Sequence, residues 1–308
     1  MAYEVGGLIS ATDYNGLING TNKLNTVWST GTGDAGYGQT VIAAKSAGDI
    51  VSATEWASVV NKVNVVSTHQ VGTATGDVAP VAGDVIAFLA SLESSIDTFY
   101  TNRTDFNAQG STTTDSGTTH NIVDADGTFT FTATRTATFA SADQARYFFN
   151  AGGELNLALT AGANTGGTGG GAQILSIITA CGGIADFRAN DNNGRTGTGE
   201  TETTNNLTIG YYDLTTSGQI ISRVDESGAA YTPYTSDFVK VDVKSNGVQG
   251  ANGDKGTIIT WTITVDGGSA SSGGFNDNVD VNFTSALNVT FPETASGLAD
   301  TWGSVTIG

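Results

Sequence analysis

The 308-residue sequence is poor in several residue types, and each shortage excludes a class of protein. Its single cysteine, Cys181, permits no intrachain disulfide and no cysteine-based metal site. Against 30 Asp and Glu there are only 12 Lys and Arg, which gives a formal net charge of −18. Because binding to nucleic acid or to anionic lipid requires clustered Lys and Arg, we expect no nucleic acid and no membrane among the partners.

Long apolar runs are also missing. No run approaches the ~20 apolar residues of a transmembrane helix. Residues 1–5 lack the charged-then-apolar pattern of a secretory signal peptide. We therefore expect the protein to stay in the cytoplasm in which it is made.

Glycine, by contrast, is abundant: the 42 glycines among 308 residues are about twice the usual share of ~7%. A chain with many glycine turns and many β-branched residues suits short strands. This composition excludes an all-helical fold for most of the chain.

The first hundred residues contain an internal repeat. Residues 9–19 and 51–61 align without a gap and agree in chemical type at nearly every position. A serine followed three positions later by an acid opens each copy, and this is the pattern of a capping box. The pairs are Ser10 with Asp13 and Ser52 with Glu55. Because helical apolar spacing follows both pairs, the repeat predicts two amphipathic helices.

A third helix is predicted after the turn at Ala79–Pro80. Its apolar residues step by four, three, four and three, which are the a and d positions of two heptads. They are Val85, Leu89, Leu92, Ile96 and Phe99. Such a stripe requires a partner helix, and two interpretations stay open. It is either part of a three-helix core within one subunit or an oligomer seam that pairs copies about a symmetry axis.

The fold class predicted from these patterns is α+β. We expect a helical anchoring domain over residues 1–100, a linker over 101–118, and an antiparallel, jelly-roll-like β-sandwich over 119–308. In the last region the apolar pattern has a period of two, and glycine turns separate the segments. The predicted strands are residues 128–139, 146–159 as a hairpin about 151–153, 173–179, 184–189, 206–214, 219–224, 238–244, 256–265 and 279–291.

No arrangement typical of catalysis is evident in the sequence. His69 and His120 are the only histidines, and we expect both at the surface. Cys181 has no basic neighbour in sequence, so we expect an inert buried thiol. The acids considered for glycoside hydrolysis are those typical of solvated turns. They are Glu154, Glu200, Glu202, Asp225 and Glu226.

Cofactor motifs are equally weak. The glycine-rich residues 31–39 lack the Lys-Ser/Thr ending of a phosphate-binding loop. Residues 191–194 and 276–280 offer oxygen ligands without the spacing of an EF-hand, so we interpret them as turns, with incidental Ca²⁺ binding as the alternative. We therefore predict no enzyme activity and no cofactor.

Three segments together resemble a family of virion structural proteins of tailed bacteriophages, especially marine and cyanobacterial ones. They are the N-terminal repeat, the Gly-Tyr-Gly-Gln stretch that ends at Gln39, and Ala-Arg-Tyr-Phe-Phe-Asn-Ala-Gly-Gly at 145–153. The resemblance implies a building block of the tail, baseplate, neck or fibre region, without catalytic residues. It implies assembly in the host cytoplasm into the virion, with other virion proteins and with copies of itself as partners. For the homo-oligomer we expect a trimer.

A receptor- or glycan-binding tip of the tail is the alternative function. In that case exposed tyrosines would stack on the sugar rings of a host surface glycan. The candidates are Tyr211, Tyr212, Tyr231 and Tyr234. A particle-associated hydrolase is the weakest of the three hypotheses.

Overall fold

A computed structural model describes residues 10–31, 35–84, 89–166, 169–181, 187–188, 210–211, 216–225, 236–247, 256–268 and 278–308. Within these ranges the chain combines helices with two β-sheets, so the α+β class is confirmed. The helices are α1 (Ala11–Ile18), α2 (Leu24–Trp28), α3 (Ala53–Val71), α4 (Leu89–Phe99), α5 (Ala142–Asn150) and α6 (Gly169–Cys181). The strands are β1 (Gln109–Thr114), β2 (Thr118–Asp124), β3 (Phe129–Thr138), β4 (Glu154–Asn164), β5 (Phe187–Arg188), β6 (Gly210–Tyr211), β7 (Gln219–Asp225), β8 (Phe238–Ser245), β9 (Ile258–Gly267), β10 (Val279–Pro292) and β11 (Thr306–Ile307).

Both predicted capping boxes are present at helix starts. The Asp13 N–H donates to the Ser10 hydroxyl over 3.2 Å, and the Ser10 N–H donates to the Asp13 carboxylate over 3.0 Å. Ser52 and Glu55 form the same reciprocal pair, over 3.3 and 2.9 Å. Each box satisfies two backbone donors that the first turn of a helix leaves open.

The third predicted helix is α4. Leu92, Ile96 and Phe99 are buried within the single chain, where α4 packs against α3. The burial of these three side chains in the core of one subunit agrees with the intrachain interpretation, and the oligomer seam stays a prediction. Val85 and the side chain of Leu89 lie outside the described residues.

Two sheets make up the β part of the molecule. Sheet A has the order β1-β10-β4-β5-β6, with β2 also paired to β10, and sheet B has the order β11-β3-β9-β8-β7. The described pairs are antiparallel except β5 with β6. Helix α6 packs against β4 and β10 of sheet A and against β7 and β8 of sheet B. A single helix therefore contacts both sheets.

The long central strands show the predicted period of two. Along β10, alternate residues from Val279 to Val289 are buried, and the residues between them are partly exposed. Strand β9 alternates in the same way from Ile259 to Val265. Since successive side chains of a strand point to opposite faces, one face of each sheet packs on the core.

Two segments predicted as strands are helical. Residues 146–150, expected in a hairpin, belong to α5, whose N-cap Ser141 accepts a hydrogen bond from the Gln144 N–H over 3.1 Å. Residues 173–179 lie within α6, where Ile174, Ile177 and Ile178 are buried at helical spacing. A short apolar run fits either a buried strand or a buried helix, so its periodicity alone did not distinguish the two.

The linker prediction for residues 101–118 is wrong. This segment contains strand β1, which pairs with β10, and Arg103 and Thr104 within it are buried. The buried apolar side chains of the helical and β parts form one continuous cluster. The boundary predicted between two domains is therefore crossed by a shared core.

Candidate functional site

Of the three segments that carry the family resemblance, the stretch that ends at Gln39 and residues 145–153 are in contact in the structure. The loop of residues 35–39 packs against α5 and against residues 299–301. We call this contact region the junction, and its principal side chains come from three parts of the chain. They are Tyr37, Gln39, Arg146, Tyr147, Asn150 and Thr301.

A buried guanidinium holds the junction together. The Arg146 side chain is 2% exposed and donates to the carbonyl oxygens of Thr30, at 2.6 Å, and of Ala35. Its other terminal nitrogen donates to Asp143 over 2.7 Å. The planar fork of an arginine can reach three acceptors at once, which a lysine ammonium on a flexible stem does less well. Arg146 thus holds the loop that follows α2 against helix α5.

Close backbone approach reinforces this contact. The Asn150 amide donates to the Gly36 carbonyl over 3.1 Å. Gly38 has a φ of 71°, and a Cβ there would clash with the Tyr147 ring. Only glycine satisfies both demands, because other residues rarely adopt positive φ and all of them carry a Cβ.

Gln39 joins the loop to the C-terminal part of the chain. Its side-chain amide donates to the Ala299 carbonyl over 2.8 Å and accepts from the Ala299 N–H over 3.0 Å. The Thr301 hydroxyl donates to the Tyr37 carbonyl over 2.6 Å. These bonds span about 260 residues of sequence, so the junction ties together distant parts of the chain.

His69 lies beside the junction and is fully buried, contrary to the expected surface position. Its Nδ1 lies 3.5 Å from Oε1 of Glu293, and its ring meets the Tyr37 ring edge-on with centroids 5.2 Å apart. Burial lowers the pKa of His69, and the Glu293 carboxylate opposes that shift only in part. Burial alone would raise the pKa of Glu293, yet hydrogen bonding by Ser296 and the nearby His69 lower it below its usual value.

An open cleft of about 670 Å³ adjoins the junction. It is lined by Gln109, Gly110, Ser111, Phe291, Pro292, Glu293, Thr294, Ala295, Asp300, Trp302, Gly303 and Ser304. Its two acids are already engaged, because Glu293 accepts from the Ser296 N–H and Asp300 from the Gly303 N–H. Trp302 is only 2% exposed and presents no face for stacking. The cleft therefore shows no convergent set of reactive groups.

A serine–histidine pair lies between the sheets. His120 Nε2 is hydrogen-bonded to Ser285 Oγ over 2.8 Å, and the imidazole packs against the rings of Phe131 and Phe283. His120 belongs to strand β2, and it is partly exposed. Ser285 is fully buried, so a substrate cannot reach its hydroxyl. Burial and the charge of Arg135 lower the pKa of His120. We interpret the pair as a polar contact within the core.

Other residues singled out in the sequence are dispersed. Cys181 is buried, and burial raises the pKa of its thiol. Glu154 is 3% exposed at the start of β4, so the expectation of a solvated turn acid is wrong for this residue. Asp225 pairs with Arg223 over 2.7 Å. Glu200, Glu202, Glu226 and residues 191–194 and 276–277 lie outside the described residues.

Metal-binding and membrane-spanning features are not found in the described part of the chain. No group of three or more His, Cys, Asp or Glu side chains there is placed to hold a metal ion. No helix among those residues has the length and apolar content needed to cross a bilayer.

No aromatic side chain in the described ranges is well exposed. Every large apolar side chain that is well exposed there is a valine or an isoleucine. Of the tyrosines considered for sugar stacking, Tyr212, Tyr231 and Tyr234 lie outside the described residues, as does the side chain of Tyr211.

No protein-family model, no curated protein and no solved structure matches the chain. The site is thus characterised by its own geometry. Its polar side chains are largely buried, and their hydrogen bonds join the loop of residues 35–39 to α5 and to residues 299–301. Arg146 and Gln39 belong to the sequence motifs, yet their roles were not predicted. Residues 146–150 were assigned to a strand, and the partner of Gln39, Ala299, lies about 260 residues away in sequence.

Proposed function

We propose that this protein is a structural, non-catalytic component of a tailed-bacteriophage virion. It would lie in the tail, baseplate, neck or fibre region, after assembly in the host cytoplasm. Its partners would be other virion proteins and further copies of itself. The host surface glycan of the alternative hypothesis receives no support from exposed aromatic side chains in the described part of the chain.

The observation that carries this proposal is the junction. Two segments that resemble the virion family, around Gly38 and Arg146, bind each other through buried hydrogen bonds and close packing. The terminal nitrogens of Arg146 and the side-chain amides of Asn150 and Gln39 are hydrogen-bonded inside the protein, so these groups serve its architecture. A family motif used in this way supports a scaffold role over catalysis.

Finer features of the fold belong to the same proposal. We propose that the two sheets form a jelly-roll-like sandwich, which is supported by their alternating burial and by the contact of β3 in sheet B with β2 and β10 in sheet A. We propose that the N-terminal repeat is a duplicated helix start. Its support is the matched capping boxes and the contact between Tyr14 and Trp56, which occupy the same position in the two copies, with ring centroids 6.1 Å apart.

The test is to locate the chain in phage particles. Particles of the phage that encodes this chain would be purified on a density gradient, analysed by mass spectrometry, and labelled with gold-conjugated antibodies raised against the chain. We expect the chain at stoichiometric level in the particles, with gold at the tail, neck or baseplate. Complete, infectious particles without the chain would contradict the proposal.

A binding assay separates the scaffold from the glycan-binding tip. Fluorescently labelled full-length protein would be incubated with host cells, with and without the purified host surface polysaccharide as competitor. The scaffold predicts no saturable binding. Saturable binding that the polysaccharide competes away would favour the tip.

A further inference from the structure

Sheet B has an edge that is only partly covered. On one side strand β3 pairs with β9 along its whole length, from Phe129 to Thr138. On the other side it meets β11 at Ala137 and Thr138 only, and Gly308 at Thr136. In the described structure, no strand lies along the rest of that side.

The backbone N–H and C=O groups of three residues point out of this edge. Thr136 exchanges both of its backbone hydrogen bonds with Gly308, each over 2.9 Å, so its N–H and C=O point away from β9. Since these directions alternate along an antiparallel strand, the same groups of Thr130, Thr132 and Thr134 also point away from β9. No described residue forms a backbone hydrogen bond with them.

Side-chain exposure agrees with an open edge. Thr130, Thr132 and Thr134 are exposed. The residues opposite them in β9, which lies between two strands, are only partly exposed; they are Asp266, Thr264 and Thr262. The edge is therefore accessible as far as the described residues show.

Features that usually protect a sheet edge are missing here. Natural edges carry a lysine, a proline or a bulge that prevents pairing with another strand. From Phe129 to Thr134 there is no charged residue and no proline, and the register with β9 runs without a bulge. The next residue, Arg135, turns its side chain inward, where it is ion-paired with Asp115. The Asp266 carboxylate of β9 lies beside one end of this stretch, where it accepts a hydrogen bond from the Thr130 hydroxyl over 2.7 Å. In a chain with a net charge of −18, the uncharged strand centred on Thr132 is a place where another copy meets little repulsion.

We propose that this edge binds the same edge of a second copy, so that two β3 strands pair antiparallel about a two-fold axis at Thr132. Thr132 then lies opposite Thr132 of the second copy, and Thr130 lies opposite its Thr134. The pairing of β3 with β9 already places threonine opposite threonine, at 132 with 264, 134 with 262 and 136 with 260, so the residue pattern fits such a ladder.

The open stretch also has the right extent for this symmetry. Phe129, where β3 begins, and Arg135, the last residue before the contact with Gly308, are each three positions from Thr132. The proposed contact deepens the proposed function and rests on its self-association part. It gives a dimer, which differs from the trimer expected from the sequence.

The decisive variant is Thr132→Pro in the full-length chain. The Thr132 N–H makes no backbone hydrogen bond within one chain, so a proline there is tolerated in this edge strand. The proline lacks the N–H and places its ring at the edge, so it prevents pairing with the β3 strand of a second copy. Thr132→Val keeps the N–H and is the matched control. By sedimentation equilibrium we expect a dimer for the wild type and for Thr132→Val. For Thr132→Pro we expect dimerisation weaker by about a hundredfold or more, because hydrogen bonds at the symmetry axis are lost.

Hydrogen exchange on the wild type gives an independent readout, which holds even if Thr132→Pro does not fold. The amides of Thr130, Thr132 and Thr134 should exchange rapidly at low protein concentration and slowly at high concentration. The amides of Phe131 and Ala133, which face β9, should be protected throughout.

A monomer at all concentrations, a trimer, or a dimer unaffected by Thr132→Pro would overturn the edge proposal. None of these results would remove the chain from the virion. Conversely, absence from purified particles would contradict the proposed function without affecting the sedimentation result.

Discussion

Arg146 shows how one buried side chain can connect two parts of a chain. Its guanidinium is buried and donates hydrogen bonds to two carbonyl oxygens of one loop and to Asp143 of its own helix. A charge-assisted hydrogen bond is stronger than a neutral one, and each acceptor left alone in the interior costs free energy. The stability of the junction therefore depends on this one residue more than on any surface ion pair.

We expect Arg146→Met to lower the free energy of unfolding by about 2–4 kcal/mol, because Met fills similar space but leaves the Thr30 and Ala35 carbonyls without a donor. Arg146→Lys should lose less, since an ammonium still reaches one of them. Urea denaturation measures both. The control is Lys23→Ala, which removes an ion pair with the exposed Asp97 and should cost at most ~1 kcal/mol. Equal losses for Lys23→Ala and Arg146→Met would contradict this account.

Acid should destabilise the protein through its histidines. The pKa of His69 and that of His120 are lowered in the folded state by burial, so below about 6.5 the unfolded chain binds more protons than the folded chain. The free energy of unfolding should therefore fall as pH drops from about 7 to 5. The lowered pKa of Glu293 acts in a separate window, because its contribution is lost only as pH falls below about 4.5.

Urea denaturation at pH 7.5, 6.5 and 5.5 measures this dependence. His69→Gln should reduce the slope between pH 7.5 and 5.5, and the double variant with His120→Gln should reduce it further. A slope that is the same in the wild type and the double variant would mean that other groups are responsible.

At the scale of elements, local signals in the sequence predicted where several helices and strands begin. The two capping boxes form at Ser10 and Ser52, since serine and the acid three positions later satisfy the same backbone groups in any helix. The alternation in β9 and β10 marks strands because each has one face on the core. Residues 146–150 were misassigned because neighbouring aromatic residues fit a strand as well as a helix.

The loop between α2 and α3 should be sensitive to a single added methyl group at Gly38. Gly38→Ala introduces both a strained positive φ and a clash with Tyr147. Gly48→Ala is a matched control, because Gly48 also has a positive φ, of 94°, but has open space around it. We expect Gly38→Ala to lower the free energy of unfolding by about 1–3 kcal/mol more than Gly48→Ala does. Similar losses in urea denaturation would show that the contact with Tyr147 is unimportant.

At the scale of the whole molecule, the helical part and the sheets share one core. Strand β1 comes from the predicted linker, and Gln39 from the helical part binds Ala299 near the other end of the sequence. The predicted division at 100 and 118 followed a change of composition. Composition does not show which apolar surfaces cover each other, so it did not reveal the shared core.

A fragment of residues 119–308 should consequently be less stable than the same residues in the full chain. It lacks β1, which covers part of β10, and the loop carbonyls that Arg146 binds. We expect its thermal unfolding, followed by circular dichroism, to be at least ~10 °C lower or to lack a cooperative transition. A matched fragment of residues 101–308, which restores β1 but not the loop, should lie between the two. A 119–308 fragment that melts with the full chain would establish independent domains.

Three features are properties of the sequence alone: the shortages in its composition, the capping boxes and the period-two strands. They excluded an intrachain disulfide, a cysteine-based metal site and an all-helical fold, and they predicted the α+β class. They are local or additive, so neighbouring residues suffice to specify them. Tertiary structure decided the rest. The positions of His69 and Arg146 in the interior, the union of the two predicted domains and the open edge of β3 depend on contacts between residues far apart in sequence. Those contacts arise only when specific surfaces pack together, and no pattern within a single segment encodes which surfaces will meet.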